Sequence, residues 1–260
     1  MIEFIIIALI GSIAAGIWDL KTTEVPDEIP ALMIVLGLFL WLVEGDFSSL
    51  IFSLITGTIL LAVGMLMYKT KQWGGADAWM LAAIGYLIPF FNGHMFMADF
   101  LPNFLVVAVT YMVIYSIILG FRNKGIFVHF VTNIKIRWKI VFLVPAAFGL
   151  FFFLLSASLG TSLIPASFIT LFVFLLMVFW AYAKTIEKYV FKKKIPTSKL
   201  RIGDVLEEME WRGITKEELI EVRKKHKFVT IKEGVRFVPV FPIALAITLL
   251  FGNLLLALLF

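Results

Sequence analysis

Two short stretches of this 260-residue chain set an aspartate at the edge of an apolar run, and aspartates so placed can do acid–base chemistry. The first reads Ile17-Trp18-Asp19-Leu20-Lys21-Thr22-Thr23-Glu24-Val25-Pro26, the second Gly74-Gly75-Ala76-Asp77-Ala78-Trp79-Met80-Leu81. Singly, each carboxylate has a structural use: Asp19 can end a helix at the headgroups, and Asp77 can cap one that follows a Gly-Gly turn. Together they point further, because acidic side chains near a membrane interior are costly and tend to mark functional sites. Two carboxylates brought close do not both ionise easily, so one keeps a proton while the other is charged. Such a pair can take a proton from water as it attacks a carbonyl and give one to the carbonyl oxygen. The residues leave open which aspartate takes which part, and the pair titrates as a unit. Gly74 and Gly75 let the backbone come close to a substrate or another helix and adopt conformations that other residues avoid.

The elements that must position these residues are membrane helices. The chain is 61% hydrophobic, has a mean hydropathy of +0.99 and is only 16% charged, against about 25% in an ordinary soluble domain. That composition excludes a water-soluble fold. Runs of about 20 apolar residues are the natural unit of counting, and eight candidates stand out, at 4–18, 29–43, 50–68, 78–91, 104–121, 140–159, 165–183 and 237–260. The first carries Glu3 rather than a basic start and has no small-residue cleavage site, so it is expected to be a mature helix rather than a signal peptide. The fourth is short. Its roughly fourteen residues rise about 21 Å, against about 30 Å of hydrocarbon, which invites local thinning and water entry.

Charge orients the helices. With the amino end outside and eight crossings, the segments 19–28, 68–77, 122–139 and 184–236 lie inside and hold all 23 Lys and Arg. The outer connections, 44–49, 92–103 and 160–164, hold none, a complete form of the positive-inside bias. Both aspartates then sit at the inner ends of spans, at similar depth. The net charge of +5 reports orientation and attraction to anionic headgroups rather than a nucleic-acid partner. One inner loop reverses the sign, since Asp19, Lys21, Glu24, Asp27 and Glu28 make it net acidic.

The expected fold is therefore an all-α polytopic membrane protein of about eight helical spans (six to eight), with a small cytoplasmic α/β insertion before the last one. The expected divisions are a catalytic membrane core at 1–121, additional transmembrane helices at 122–183, a cytoplasmic soluble segment at 184–236 and a last transmembrane helix at 237–260. In the soluble segment, Asp204 can cap a first helix that Gly213 ends, and Thr215 with Glu218 fits a capping box for a second helix running to about His226. The runs 228–231 and 235–238 flank Lys232-Glu233-Gly234 as a hairpin signal. Interleaved acidic residues argue against a DNA-binding pair of helices. Cysteine is absent, which removes thiol chemistry. His94, His129 and His226 lie far apart with no His-Glu-x-x-His pattern, so neither a metal nor another cofactor is expected. Gly160-Thr161-Ser162-Leu163 does not form a Gly-x-Ser-Gly pattern and reads as an outer loop.

Asp-Leu-Lys, then an acidic residue and Val-Pro, followed by Gly-Gly-Ala-Asp opening a short helix, resembles the prepilin and preflagellin peptidases, which are membrane aspartyl proteases with a Gly-x-Gly-Asp motif. The tail at 200–244, with Arg201-Ile202-Gly203-Asp204-Val205 and Lys232-Glu233-Gly234-Val235-Arg236-Phe237-Val238-Pro239, is similar to a carboxy-terminal region of archaeal members. The resemblance covers about 2–121 and this tail. It implies that Asp19 and Asp77 are catalytic, with Gly74, Gly75 and Ala76 forming the supporting motif. It implies precursors of the type IV pilin-like or archaellin-like kind as partners, besides the lipid bilayer, cut after a short basic leader at the cytoplasmic face of the cell membrane. Ala76 departs from the motif's second glycine and restricts the backbone if that position needs a positive φ. Bacterial relatives also methylate the new amino terminus and carry a cysteine-bearing domain; this chain has no cysteine and no such domain, so no methyltransferase activity is expected.

Glu24, Asp27 and Glu28 either attract the basic leader or form a solvated loop. Lys21 either tunes Asp19 or snorkels to the headgroups. Three other readings compete: a presenilin-like intramembrane protease, a proton-coupled transporter using membrane aspartates, and a non-enzymatic membrane scaffold.

Overall fold

Buried positions on the first helix, α1 (Ile2–Thr22), fall at Phe4, Ala8, Ser12, Ala15, Gly16 and Asp19. That spacing lays one stripe of mostly small side chains against the rest of the bundle. Asp19 is its last member. The computed structural model describes residues 1–70, 72–123, 125–207, 213–232, 234–254 and 256. After α1 come α2 (Glu28–Glu44), α3 (Phe47–Lys69), α4 (Gly75–Leu87), the short strands β1 (Phe90–Phe91) and β2 (His94–Met95), and α5 (Phe96–Arg122). There follow α6 (Ile126–Ile136), α7 (Val144–Ser158), α8 (Ile164–Ile186), β3 (Lys192–Pro196), β4 (Val205–Leu206), α9 (Lys216–Lys225), β5 (Phe228–Lys232) and α10 (Val240–Phe251). A π turn precedes α7 and another extends α8.

The chain divides into two units, Met1–Val113 with Gly234–Phe260, and Ile114–Glu233. In the first unit α4 is a central helix, buried at Asp77, Ala78, Met80 through Gly85, and Leu87. Glycine makes this burial possible. A methyl group on Gly64 of α3 would lie 2.7 Å from the Cα of Ala78, and one on Gly85 of α4 would lie 3.2 Å from the Cα of Gly57. Two close approaches one heptad apart therefore bring α3 and α4 together, as small residues do where membrane helices cross. The Ser53 hydroxyl donates to the Tyr86 carbonyl, and the Thr58 and Tyr86 hydroxyls lie 2.9 Å apart. On α2, Gly37 leaves room for Leu87, and Trp41 stacks on Phe4 of α1 with centroids 4.1 Å apart.

Strands β1 and β2 pair antiparallel around Asn92-Gly93, both at positive φ (50° and 85°), the geometry of a tight hairpin turn. Here the expected outer connection at 92–103 is corrected. Helix α5 already begins at Phe96, and Asn103 is a fully buried residue inside it. Its amide donates to the Thr248 hydroxyl (3.0 Å) and the Gly252 carbonyl (2.6 Å), while the Leu254 N–H donates to its oxygen (2.9 Å). Pro102 removes the N–H that would have bonded Ala98, and the Asn253 amide takes that carbonyl instead, at 3.1 Å. Polar side chains thus tie α10 to α5.

In the second unit, α6 falls on what reads in the sequence as a plain inner loop, 122–139. It is held to α8 by Asn133, whose amide donates to the Ala181 carbonyl (2.9 Å) and the Thr185 hydroxyl (3.0 Å). Strand β5 lies between β3 and β4, antiparallel to both. This overturns the hairpin of 228–231 with 235–238, because β5 spends its edges on two other strands; Glu233 of that turn lies outside the described residues. The helix expected from Asp204 is also corrected, since Val205 and Leu206 form β4, and 208–212 lie outside the described residues. The second expected helix is α9, with the Thr215–Glu218 capping box in place. Arg223 of α9 donates to the Thr197 and Leu200 carbonyls at 3.1 and 2.8 Å.

The chain is mostly helical, and each of the eight apolar runs carries a helix. Five helical stretches among the described residues are long and apolar enough to cross a membrane: Ile2–Thr22, Phe47–Lys69, Phe96–Arg122, Lys139–Ser158 and Ile164–Phe191. Helices α2, α4 and α10, at 17, 13 and 12 residues, fall below that length. The protein is a multi-pass helical membrane protein.

Candidate active site

Asp19 faces inward because the whole buried stripe of α1 does. The helix stays regular past it and stops at Thr23, whose left-handed backbone (φ 65°) sends its N–H to the Asp19 carbonyl at 2.9 Å. The Thr22 hydroxyl donates to the Trp18 carbonyl at 2.9 Å, closing the same turn. The Asp19 side chain is 5% exposed and accepts a hydrogen bond from the Val238 N–H at 3.0 Å. The neighbouring Phe237 N–H and the Arg236 charge also act on it. A residue just ahead of α10 therefore holds a carboxylate 219 positions earlier in the chain.

Asp77, 7% exposed, is the third residue of α4 and accepts from the Gly74 N–H at 2.9 Å. It satisfies one of the free donors at the helix start. Gly74, having no side chain, returns no bond. The two carboxylates are near enough for the Asp19 charge to act on Asp77. Both aspartates are thus buried and held by backbone N–H groups.

The supporting motif works by room rather than by unusual dihedrals. Gly74 has an ordinary extended backbone (φ −74°, ψ 160°), and neither Gly75 nor Ala76 has a positive φ. A methyl group on Gly74 would lie 3.2 Å from an Asp77 carboxylate oxygen, so that glycine keeps the carboxylate's approach clear. Ala76 sits in the first turn of α4, where alanine is at ease. Lys21, Glu24, Asp27 and Glu28 are all exposed, on the end of α1, the connection after it and the start of α2.

Residues absent from the sequence reading of the site complete it. Trp73, immediately before Gly74, packs against Phe104 of α5 and Phe237, with centroids 5.7 and 6.0 Å away. Phe104 in turn meets Phe237 and Phe241 at 6.0 and 5.0 Å. The Tyr111 hydroxyl donates to the Arg236 carbonyl at 2.6 Å. The tail motif around Arg236-Phe237-Val238-Pro239 stood out in the sequence, but nothing local tied it to Asp19.

Residues 6–122 match the type IV leader peptidase family. The family resemblance is shown over that stretch. It contains both aspartates and Trp73, whereas the residues that meet Asp19 from the tail lie beyond it. Two preflagellin peptidases are similar to this chain. That of Methanocaldococcus jannaschii is 30% identical over 130 residues, 46% of this chain and 55% of the relative. That of Methanococcus maripaludis is 30% identical over 138 residues, 47% and 59%. The chain thus spans little more than half the length of these relatives. No solved structure gives a significant match.

Proposed function

We propose that this chain is a membrane aspartyl endopeptidase that removes a short basic leader from type IV prepilin-like or archaellin-like precursors at the cytoplasmic membrane boundary. The observation that carries the reading is the presence of two buried carboxylates, Asp19 and Asp77, on separate helices, each held by a backbone N–H and near enough for the charge of one to act on the other. The leader peptidase match over the segment that holds both supports it. So do the two preflagellin peptidase relatives, from which the precursor class is taken.

In the reaction, the charged member of the pair takes a proton from water as its oxygen bonds the scissile carbonyl carbon. The protonated member gives its proton to the carbonyl oxygen. Collapse of the tetrahedral intermediate then breaks the C–N bond; the leaving nitrogen takes up a proton from one carboxyl while a hydroxyl of the intermediate returns its proton to the other carboxylate. Like charges at close range keep one proton shared between the carboxylates throughout. Water reaches them from the inner face, where Gly74 is exposed at the start of a helix only about 20 Å long. The one-sided basic residues support reading that face as the inner one, with the amino end outside and the short helices α2, α4 and α10 counted among eight crossings.

The test is direct cleavage. Purified protein in lipid vesicles is incubated with a precursor of basic leader and hydrophobic helix, and the products are weighed by mass spectrometry. Two fragments divided at the leader boundary are expected. A precursor that stays whole beside folded protein overturns the reading.

A further inference from the structure

We propose that the segment Arg236–Val238 is a third component of the catalytic site, a strap that sets Asp19 against the loop leading into Asp77, with Arg236 as its positioning residue. The inference deepens the peptidase reading and rests on it.

The strap touches both halves of the pair. On one side the Val238 N–H donates to Asp19 at 3.0 Å. On the other, the Phe237 ring lies 6.0 Å from Trp73, the residue before the Gly74 whose N–H holds Asp77. Helices α1 and α4 have no covalent reason to keep their carboxylates in register, so a piece packed on both can supply one. The strap is itself held from three directions. The Tyr111 hydroxyl donates to the Arg236 carbonyl, the Phe104 and Phe241 rings flank Phe237, and Gly16 of α1 lets the Pro239 backbone approach to 3.3 Å of where a methyl group would stand.

Arg236 is the unusual member. Its Nε is buried and has no hydrogen-bond partner among the described residues. A buried guanidinium nitrogen left unpaired is costly. Its charge acts on Asp19, so the cost is offset where a carboxylate must be held in one place. A misplacement of about 1 Å at a reacting group can cost about 100-fold in rate. Losing the Arg236 charge should therefore slow chemistry while leaving precursor binding alone, because its guanidinium, buried at Nε, acts on Asp19 and is not on the surface that a leader would meet.

The experiment measures kcat and KM for the full chain in lipid vesicles with the precursor described above, together with melting temperature. Arg236→Gln is expected to lower kcat by about 100-fold with KM and melting temperature unchanged, and Arg236→Lys, which keeps the charge, to recover most of the loss. Tyr111→Phe gives a milder loss of the same kind by loosening the strap, and serves if Arg236→Gln fails to fold. Full activity in Arg236→Gln beside an inactive Asp19→Asn overturns the strap alone. A loss that appears only in KM, or that Lys does not recover, also overturns it. An active, folded Asp19→Asn overturns the peptidase reading and the strap with it.

Discussion

Asp19 and Asp77 are bound by quite different means, and the difference explains what could be read in advance. Asp77 is satisfied locally, by an N–H three residues earlier, so its place at a helix start after two glycines was legible in the sequence. Asp19 is satisfied by Val238, 219 residues away; only its position at the end of the first apolar run was visible. Nothing in local spacing could pair it with a tail. The motif's alanine is similarly clearer in three dimensions, because position 76 has no positive φ. Ala76→Gly is accordingly expected to give no gain in cleavage rate, and to lower stability by about 0.5–1 kcal/mol, the helix cost of glycine, as read by thermal or denaturant unfolding. A clear rise in kcat would show that the position needs glycine after all. The acidic side chains Glu24, Asp27 and Glu28 are exposed, as the proposed leader attraction requires. Reversing their charge should slow cleavage of a basic-leader precursor more than that of the same precursor with a neutral leader. Equal slowing of both would leave the loop without a part in leader recognition.

At the level of elements, α4 is short because it is a buried core piece as well as a candidate span, and its placement depends on α3. Gly64 meets the backbone of Ala78, the residue after Asp77. A Gly64→Val variant should therefore separate the two helices, destabilise the protein by about 1–3 kcal/mol through overpacking, and cut activity by shifting Asp77. Retained melting temperature and rate would mean that the close approach is not needed. The helices themselves were legible, since long apolar runs admit little else in a membrane. The small sheet was harder. Strand β5 was seen as a strand, yet its partners were misassigned, because a short polar segment does not announce which distant strand it will join. The turn at Asn92-Gly93 carried a strong local signal, but the flanking strands are two residues each, and the first was absorbed into the apolar run 78–91 and the second into the connection 92–103.

Over the whole molecule, the distribution of charge is what the proposed orientation rests on. In the proposed eight-crossing topology all 23 Lys and Arg fall on one side, and the same topology would bring both aspartates to the inner face. It predicts that a membrane-impermeant amine reagent modifies lysines only from the inner side, as read by peptide mass mapping of right-side-out and inverted vesicles. Modification of any lysine between Lys21 and Lys232 from the outer side would break the topology and the site's location with it. The central claim, that two aspartates from separate helices cut a peptide bond together, has a more direct test. Asp19→Asn and Asp77→Asn, each purified and shown by melting to be folded, are incubated with the basic-leader precursor beside the unaltered protein. Each substitution keeps the side chain's shape and should lower the cleavage rate by roughly 100-fold or more; a folded variant of either kind that still cuts at the original rate would contradict the two-aspartate mechanism.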